Sequence, residues 1–212
     1  MSDQVAILTG DLRESTAKSS AATDTSLGII AGLADDIARW TSAPTRFTRF
    51  RGDGWQIVLG QHWLALRTVI ITLARLRGQN ALTTRLAIGL GKMDREGSAD
   101  LSDAAGEALV ASGRALDAMP KTRLLAIAGP SVTGLHHVPL PLIEDRARRW
   151  TREQAEATAL WLEPDNPTLD NLSRHLGITS QAVSQRLRGA GAQSFRQALK
   201  AWEDHEEWRE VP

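Results

Sequence analysis

The 212-residue chain contains no cysteine and no tyrosine. Without thiols it can form no disulfide, no thiolate metal site and no cysteine nucleophile. Long apolar runs are missing too. The longest, Val69 to Ala74, is broken by Thr72 and falls far short of the roughly 18 residues a membrane span needs. The opening Met1-Ser2-Asp3-Gln4 lacks the basic and apolar regions of a secretory signal, which points to a cytoplasmic location. Neither sign of charge is in excess, since 25 Lys and Arg balance 25 Asp and Glu, which argues against bulk electrostatic attraction to nucleic acid. What is present, 42% hydrophobic and 24% charged residues, excludes wholesale disorder, collagen-like repeats and a membrane bundle. The length suits one large domain, or a medium one followed by a small one.

The neutral total hides a local polarity. Asn171 to Trp202 holds Arg174, Arg186, Arg188, Arg196 and Lys200 with no acid, and Glu203, Asp204, Glu206, Glu207 and Glu210 follow at once.

Hydrophobic spacing sets out the elements. Gln4 to Gly10 has the length and composition of a buried strand, with Asp11 directly after it. Leu27, Ile30, Leu33, Ile37 and Trp40 recur at helical spacing from Thr25 to Trp40, with Thr23 or Asp24 as cap. Thr45 to Phe50 and Trp55 to Leu59 flank Gly52-Asp53-Gly54 as a hairpin. A helix over Gln61 to Arg77 has one apolar face through Leu64, Val69, Leu73 and Leu76, and Leu82 to Leu90 reads as a strand. Ser102 to Met119 is a further helix, capped by Ser102 or Asp103 and stopped by Pro120, and Arg123 to Ala128 is a last strand. The resulting order β-α-β-β-α-β-α-β contains the β-α-β-β-α-β of a ferredoxin-like α+β core. Gly129 to Pro141 reads as a linker rich in Gly, Pro and His, dividing residues 1–128 from a helical unit over residues 142–212.

In that second unit, Leu169, Leu172 and Leu176 share a helix face, Gly177 ends the helix and Ile178 plugs the corner. Thr179 or Ser180 then caps a second helix whose Val183 and Leu187 face inward. This is helix-turn-helix spacing, with Thr151 to Glu163 as the first helix of a trihelical unit. The second helix presents Gln181, Ser184, Gln185 and Arg188, with Arg186 beside them. Gln and Arg are the side chains that pair with adenine and guanine edges in the major groove. Arg174, Thr179 and Ser180 complete the expected DNA-facing set. The bland alternative is a helical hairpin that only packs. Arg146, Arg148 and Arg149 either meet phosphates or form a solvated face. Phe195, Leu199 and Trp202 line one face of Ser194 to Trp202, fit to close the core or to meet a partner.

Leu176-Gly177-Ile178 through Val183-Ser184 and Leu187 resembles the helix-turn-helix of many bacterial regulators. In the first unit, Asp11 at a strand end and Asp53 at the hairpin tip belong to neighbouring strands of a ferredoxin-like sheet. Two such carboxylates can hold Mg²⁺, a hard cation that takes oxygen ligands. Asp also favours strand ends and turns for purely local reasons. His136-His137 lacks a third ligand at metal spacing, Ser15 and Ser112 lack a histidine partner, and Gly89 to Lys92 is too short for a phosphate-binding loop.

Asp11-Leu12 with Ser15-Thr16, Gly52-Asp53, Leu86 to Leu90 and Gly106 to Leu116 together, in this order, resemble the class III nucleotidyl cyclase and GGDEF fold. Most closely they resemble the SatD-like proteins, which join such a domain to a C-terminal helix-turn-helix. The resemblance covers about three-fifths of the chain. It implies Mg²⁺ on Asp11 and Asp53, a purine nucleotide as ligand, and Arg114 as the arginine that meets the transferring phosphate. Three positions depart from the pattern. Val110 stands for the ribose-orienting Asn, Arg49 for the purine-selecting Lys, and Glu14 for a small Gly beside the triphosphate path. Those changes speak against efficient cyclisation. The expected function is therefore a sequence-specific DNA-binding regulator, homodimeric, whose degenerate cyclase-like domain dimerises or senses a metal-bound nucleotide. The alternatives are an active Mg²⁺-dependent cyclase or phosphotransferase with a regulatory tail, and a helical adaptor.

Overall fold

The computed structural model describes residues 4–13, 19–43, 45–50, 52–95, 97, 101 and 103–204. Expectations that fall on Glu14, Ser15, Thr16, Ser102 and the acidic tail beyond residue 204 lie outside these residues.

Five of the six strands and their helices follow the expected order, and a two-residue strand is additional. The elements are β1 (Gln4–Leu12), α1 (Ser20–Thr41), β2 (Thr45–Phe50), β3 (Gly54–Leu59), α2 (Ala65–Gly78), β4 (Thr84–Arg95), the additional β5 (Ala105–Gly106), α3 (Glu107–Ala118) and β6 (Leu125–Ala128). A 3₁₀ turn, His62–Leu64, precedes α2. The sheet runs β2-β3-β1-β4, all antiparallel, with β5 antiparallel and β6 parallel to the far edge of β4. The β-α-β-β-α-β succession is thus present as a mixed α+β layer, extended by α3 and β6.

Some boundaries moved, each for a local reason. β1 continues past Gly10, so Asp11 and Leu12 are ladder residues opposite Arg85 and Thr84. Ser19 caps α1, accepting from the Ala22 amide, five residues before Asp24. α3 starts at Glu107, not Ser102, because Ala105 and Gly106 are drawn into pairing with Met93 and Arg95 of β4. Asp103 therefore lies in a turn ahead of the helix rather than at its cap.

Strand alternation sorts the two faces of the sheet. Ala6, Leu8 and Leu12 join the large core with α1 and α2, while Ile7 packs with Val58 and Ala108 under α3. α2 is buried nearly all round, contrary to the single apolar face expected of it. The reason is tertiary. One side of α2 faces the sheet, and the other faces the C-terminal helices. Its polar groups are satisfied locally: Thr68 and Thr72 donate to the carbonyls of Leu64 and Thr68, at 2.9 and 2.7 Å.

The Gly- and Pro-rich stretch 129–141 carries α4 (Gly134–His137) and the start of α5 (Pro139–Arg148). Here His136 is a cap, not a bare turn residue: its Nδ1 accepts from the Thr133 amide at 3.0 Å, and its ring meets Trp202 edge to face. α6 (Arg152–Trp161), α7 (Leu169–Leu176), α8 (Ser180–Ala190) and α9 (Ala192–Glu203) follow. One apolar core runs from Ala6 and Leu8 through α2 to Trp150, Leu172, Val183, Phe195 and Leu199. Phe195 and Leu199 are buried in it, so the face considered for an adaptor closes the core. Polar bonds reinforce the seam. Arg67 of α2 takes both oxygens of Glu203, at 2.6 and 2.7 Å, and donates to Leu162 O at 2.5 Å.

Candidate functional site

At the end of β1 the backbone brings the two aspartates together as expected. Asp11 lies opposite Gly54, and the Leu12 amide donates to Asp53 O at 3.2 Å, so the hairpin tip sits against the strand end. The Asp11 carboxylate is nevertheless engaged elsewhere. Its cross-strand neighbour Arg85 grips it with both arms of the guanidinium, Nε to Oδ1 at 3.0 Å and Nη2 to Oδ2. That hydrogen bond to Asp11 holds the Arg85 guanidinium above its ordinary value, so Arg85 stays a fixed cation. The pair is about three-quarters shielded from solvent and ties β1 to β4.

This geometry tests the metal expectation. A divalent cation on Asp11 would have to displace a bidentate guanidinium and then sit beside its charge. Among the described residues, no group of three or more His, Asp or Glu is arranged to hold a metal. As arranged, the residues do not fit Mg²⁺. Asp11→Ala is expected to lower stability by about 1–2 kcal/mol, by leaving Arg85 unpaired. It should also leave the melting temperature indifferent to Mg²⁺, as the unaltered protein should be. A Mg²⁺-dependent rise in the unaltered protein that the variant loses would restore the metal assignment.

The other residues carried over from the resemblance are dispersed. Arg49 staples the hairpin to α1, donating to Gly52 O at 2.6 Å and to Asp24 Oδ1 at 2.7 Å, so two of its donors are engaged within the fold. Val110 and Arg114 lie one turn apart on the exposed side of α3, and Val110 is 48% exposed. Ser112, which lacked a histidine, joins a buried chain in which Gln56 donates to Thr9 Oγ1, whose hydroxyl lies 2.7 Å from Ser112 Oγ.

The helical unit holds the second candidate site. Thr168 caps α7 in a reciprocal box with Asn171, and Gly177 ends it at φ 64°. Thr179, rather than Ser180, caps α8 by accepting from the Ala182 amide. Ser180 turns back to Asp170 at 2.9 Å, so a carboxylate does approach the basic segment, supplied by the preceding helix. Val183 and Leu187 are buried against α6, while Gln181, Gln185 and Arg188 stand exposed along one side. Ser184 is half-buried. Arg186 departs from the expected set, since it lies 3.5 Å from Glu156 of α6 and is directed along the protein. Arg174 is exposed, its Nε donating to Asp170 O.

The far end of α8 is held firmly. Arg146 donates to the carbonyls of Ala190 and Gly189, both at 3.0 Å, and the Trp150 indole donates to Ala190 O at 2.9 Å. Arg146 is thus a helix cap rather than a phosphate contact. Of its neighbours, Arg149 pairs with Asp145 and Arg148 donates to Thr122 O.

Sequence reasoning missed Arg85 and the Arg67–Glu203 pair. Arg85 left a signal, a charged residue inside an otherwise apolar strand, which asks for a buried partner. Glu203 left none, because its partner lies 136 residues away.

No protein-family model matches the chain, and no curated protein matches it. Among solved structures it is similar to the crystal structure of the guanylyl cyclase Cya2, at 20% identity and a TM-score of 0.37. The similarity spans 54% of this chain and 69% of that one.

Proposed function

We propose that the protein is a sequence-specific regulator that binds double-stranded DNA through α8, acting as a homodimer, with a sheet domain that does not cyclise nucleotides. The observation that carries the reading is the exposed row Gln181, Gln185 and Arg188 on a helix fixed at both ends by Thr179 and by Arg146 with Trp150. Amide and guanidinium groups on a rigid helix can meet base edges with only their own side chains, and not the backbone, left to order on binding. Thr179 caps the start of the helix, whose partial positive charge favours a phosphate there. The bidentate Asp11–Arg85 pair and Val110 speak against turnover in the sheet domain, so a purine nucleotide, if it binds, acts there as an effector.

The test is fluorescence anisotropy on DNA from upstream of the protein's own coding region, against random-sequence competitor at fixed salt. Arg188→Ala is expected to cost about 1–3 kcal/mol and to relax preference at one base position. A titration end point of two chains per site would support the dimer, with half-sites about one helical turn apart. An Arg188→Ala variant that binds every sequence as the unaltered protein does would remove α8 as the reading element.

A further inference from the structure

A cavity of about 480 Å³ opens where the sheet domain meets the helical unit, walled by Leu76, Leu82 and Leu124 and rimmed by Arg13, Arg77 and Arg148. Leu82 is half-buried and offers apolar surface beside the nearly buried Leu76 and Leu124, the rest of the lining is largely polar, and the size falls within the roughly 300–1,000 Å³ of small-molecule sites. Among the described residues no Asp or Glu lines it. The three guanidiniums come from separate elements: Arg13 just past β1, Arg77 near the end of α2, and Arg148 at the end of α5.

Their hydrogen bonding is incomplete. A guanidinium has five N–H donors. Arg77 gives Nε to Trp150 O at 2.9 Å. Arg148 gives Nη2 to Thr122 O at 2.5 Å and lies 3.7 Å from Glu144. The Arg13 side chain bonds to none of the described residues, although its backbone amide is anchored to Thr83 O at 2.7 Å. Arg77 and Arg148 are exposed and Arg13 half-buried at this one opening, so an anion seated among them would accept donors that otherwise face water.

We infer that this cavity binds a small amphiphilic anion, a carboxylate or phosphate monoester with an apolar body, its head on the arginine rim and its body on the leucines. The site also has a short path to α8. Arg77 holds the Trp150 carbonyl, and the Trp150 indole holds Ala190 at the end of α8. An effect of the ligand on DNA rests on the reading proposed above. The site itself does not.

The test is calorimetric titration of the full chain, without DNA, using octanoate and phenyl phosphate as probes and octanol, phenol and inorganic phosphate as controls. The two probes distinguish a carboxylate from a phosphate head. Saturable one-site binding of at least one probe is expected, weakened about tenfold or more by Arg13→Ala, since one charge-assisted bond is worth at least that. Among the described residues the Arg13 side chain has no bonding partner, and an unchanged melting curve of the variant would show that it folds. Arg148→Ala provides a second, independent reduction. No saturable heat with either probe would overturn the inference. So would equal binding of the neutral alcohols, equal binding of inorganic phosphate, or full affinity in both arginine variants.

Discussion

Trp150→Ala is expected to lower the free energy of unfolding by about 3–5 kcal/mol, the range for deleting a buried aromatic side chain. The indole is only 1% exposed, it meets Phe195 edge to face at 5.6 Å, and its N–H is given to Ala190 O. Its own carbonyl is held by Arg77 of α2. Removal therefore opens a cavity, strips one of two side-chain donors from the end of α8, and loosens the seam to the sheet. Trp150→Phe would keep most of the volume and lose the hydrogen bond, at a cost of about 1–2 kcal/mol. Urea unfolding followed by circular dichroism reads both. Because the core runs without a break from β1 to α9, the unaltered protein should unfold in one transition. Two separated transitions, or a loss under about 1 kcal/mol in Trp150→Ala, would show that the helical unit is stabilised independently of this contact.

Gly89→Ala should be of comparable severity, about 3 kcal/mol or more, from a single added methyl. A Cβ at Gly89 of β4 would stand 2.0 Å from the Ala108 carbonyl oxygen and 2.7 Å from the Ser112 amide, both backbone atoms of α3. No side-chain rotation relieves that clash, so α3 would have to lift off the sheet, carrying Ser112 away from Thr9. Gly28→Ala is the control. It lies within α1 with nothing within 4 Å of the new methyl, and should stabilise by about 0.5–1 kcal/mol through helix propensity. If both substitutions gave the same small change, the close crossing of α3 over β4 would be wrong.

The local code was legible wherever a residue's role depends on its chain neighbours. Leu27, Ile30, Leu33 and Ile37 at helical spacing did bury one side of α1, and Gly52 to Gly54 did reverse the chain between β2 and β3. Gly177 did end α7 and Thr179 did start α8, because capping and left-handed termination involve atoms only a few residues apart. The adjacency of Asp11 and Asp53 also followed, since it depends only on β1 lying beside the hairpin. Composition and spacing thus determined the order of elements apart from β5, the placing of β1 beside the hairpin and the exposed row on α8.

The fate of individual charges was decided by the tertiary structure alone. Arg85 reached Asp11 across a ladder whose register no local pattern states, and changed a candidate metal carboxylate into half of an ion pair. Arg186, expected beside the DNA-facing row, turned to Glu156, Arg146 to the end of α8, and Arg67 to Glu203. α2 became a central helix because two layers close on it from opposite sides. Periodicity reports which residues share a face. Whether a second layer covers the opposite face, and which distant charge then lies within reach, is settled only when the chain has packed.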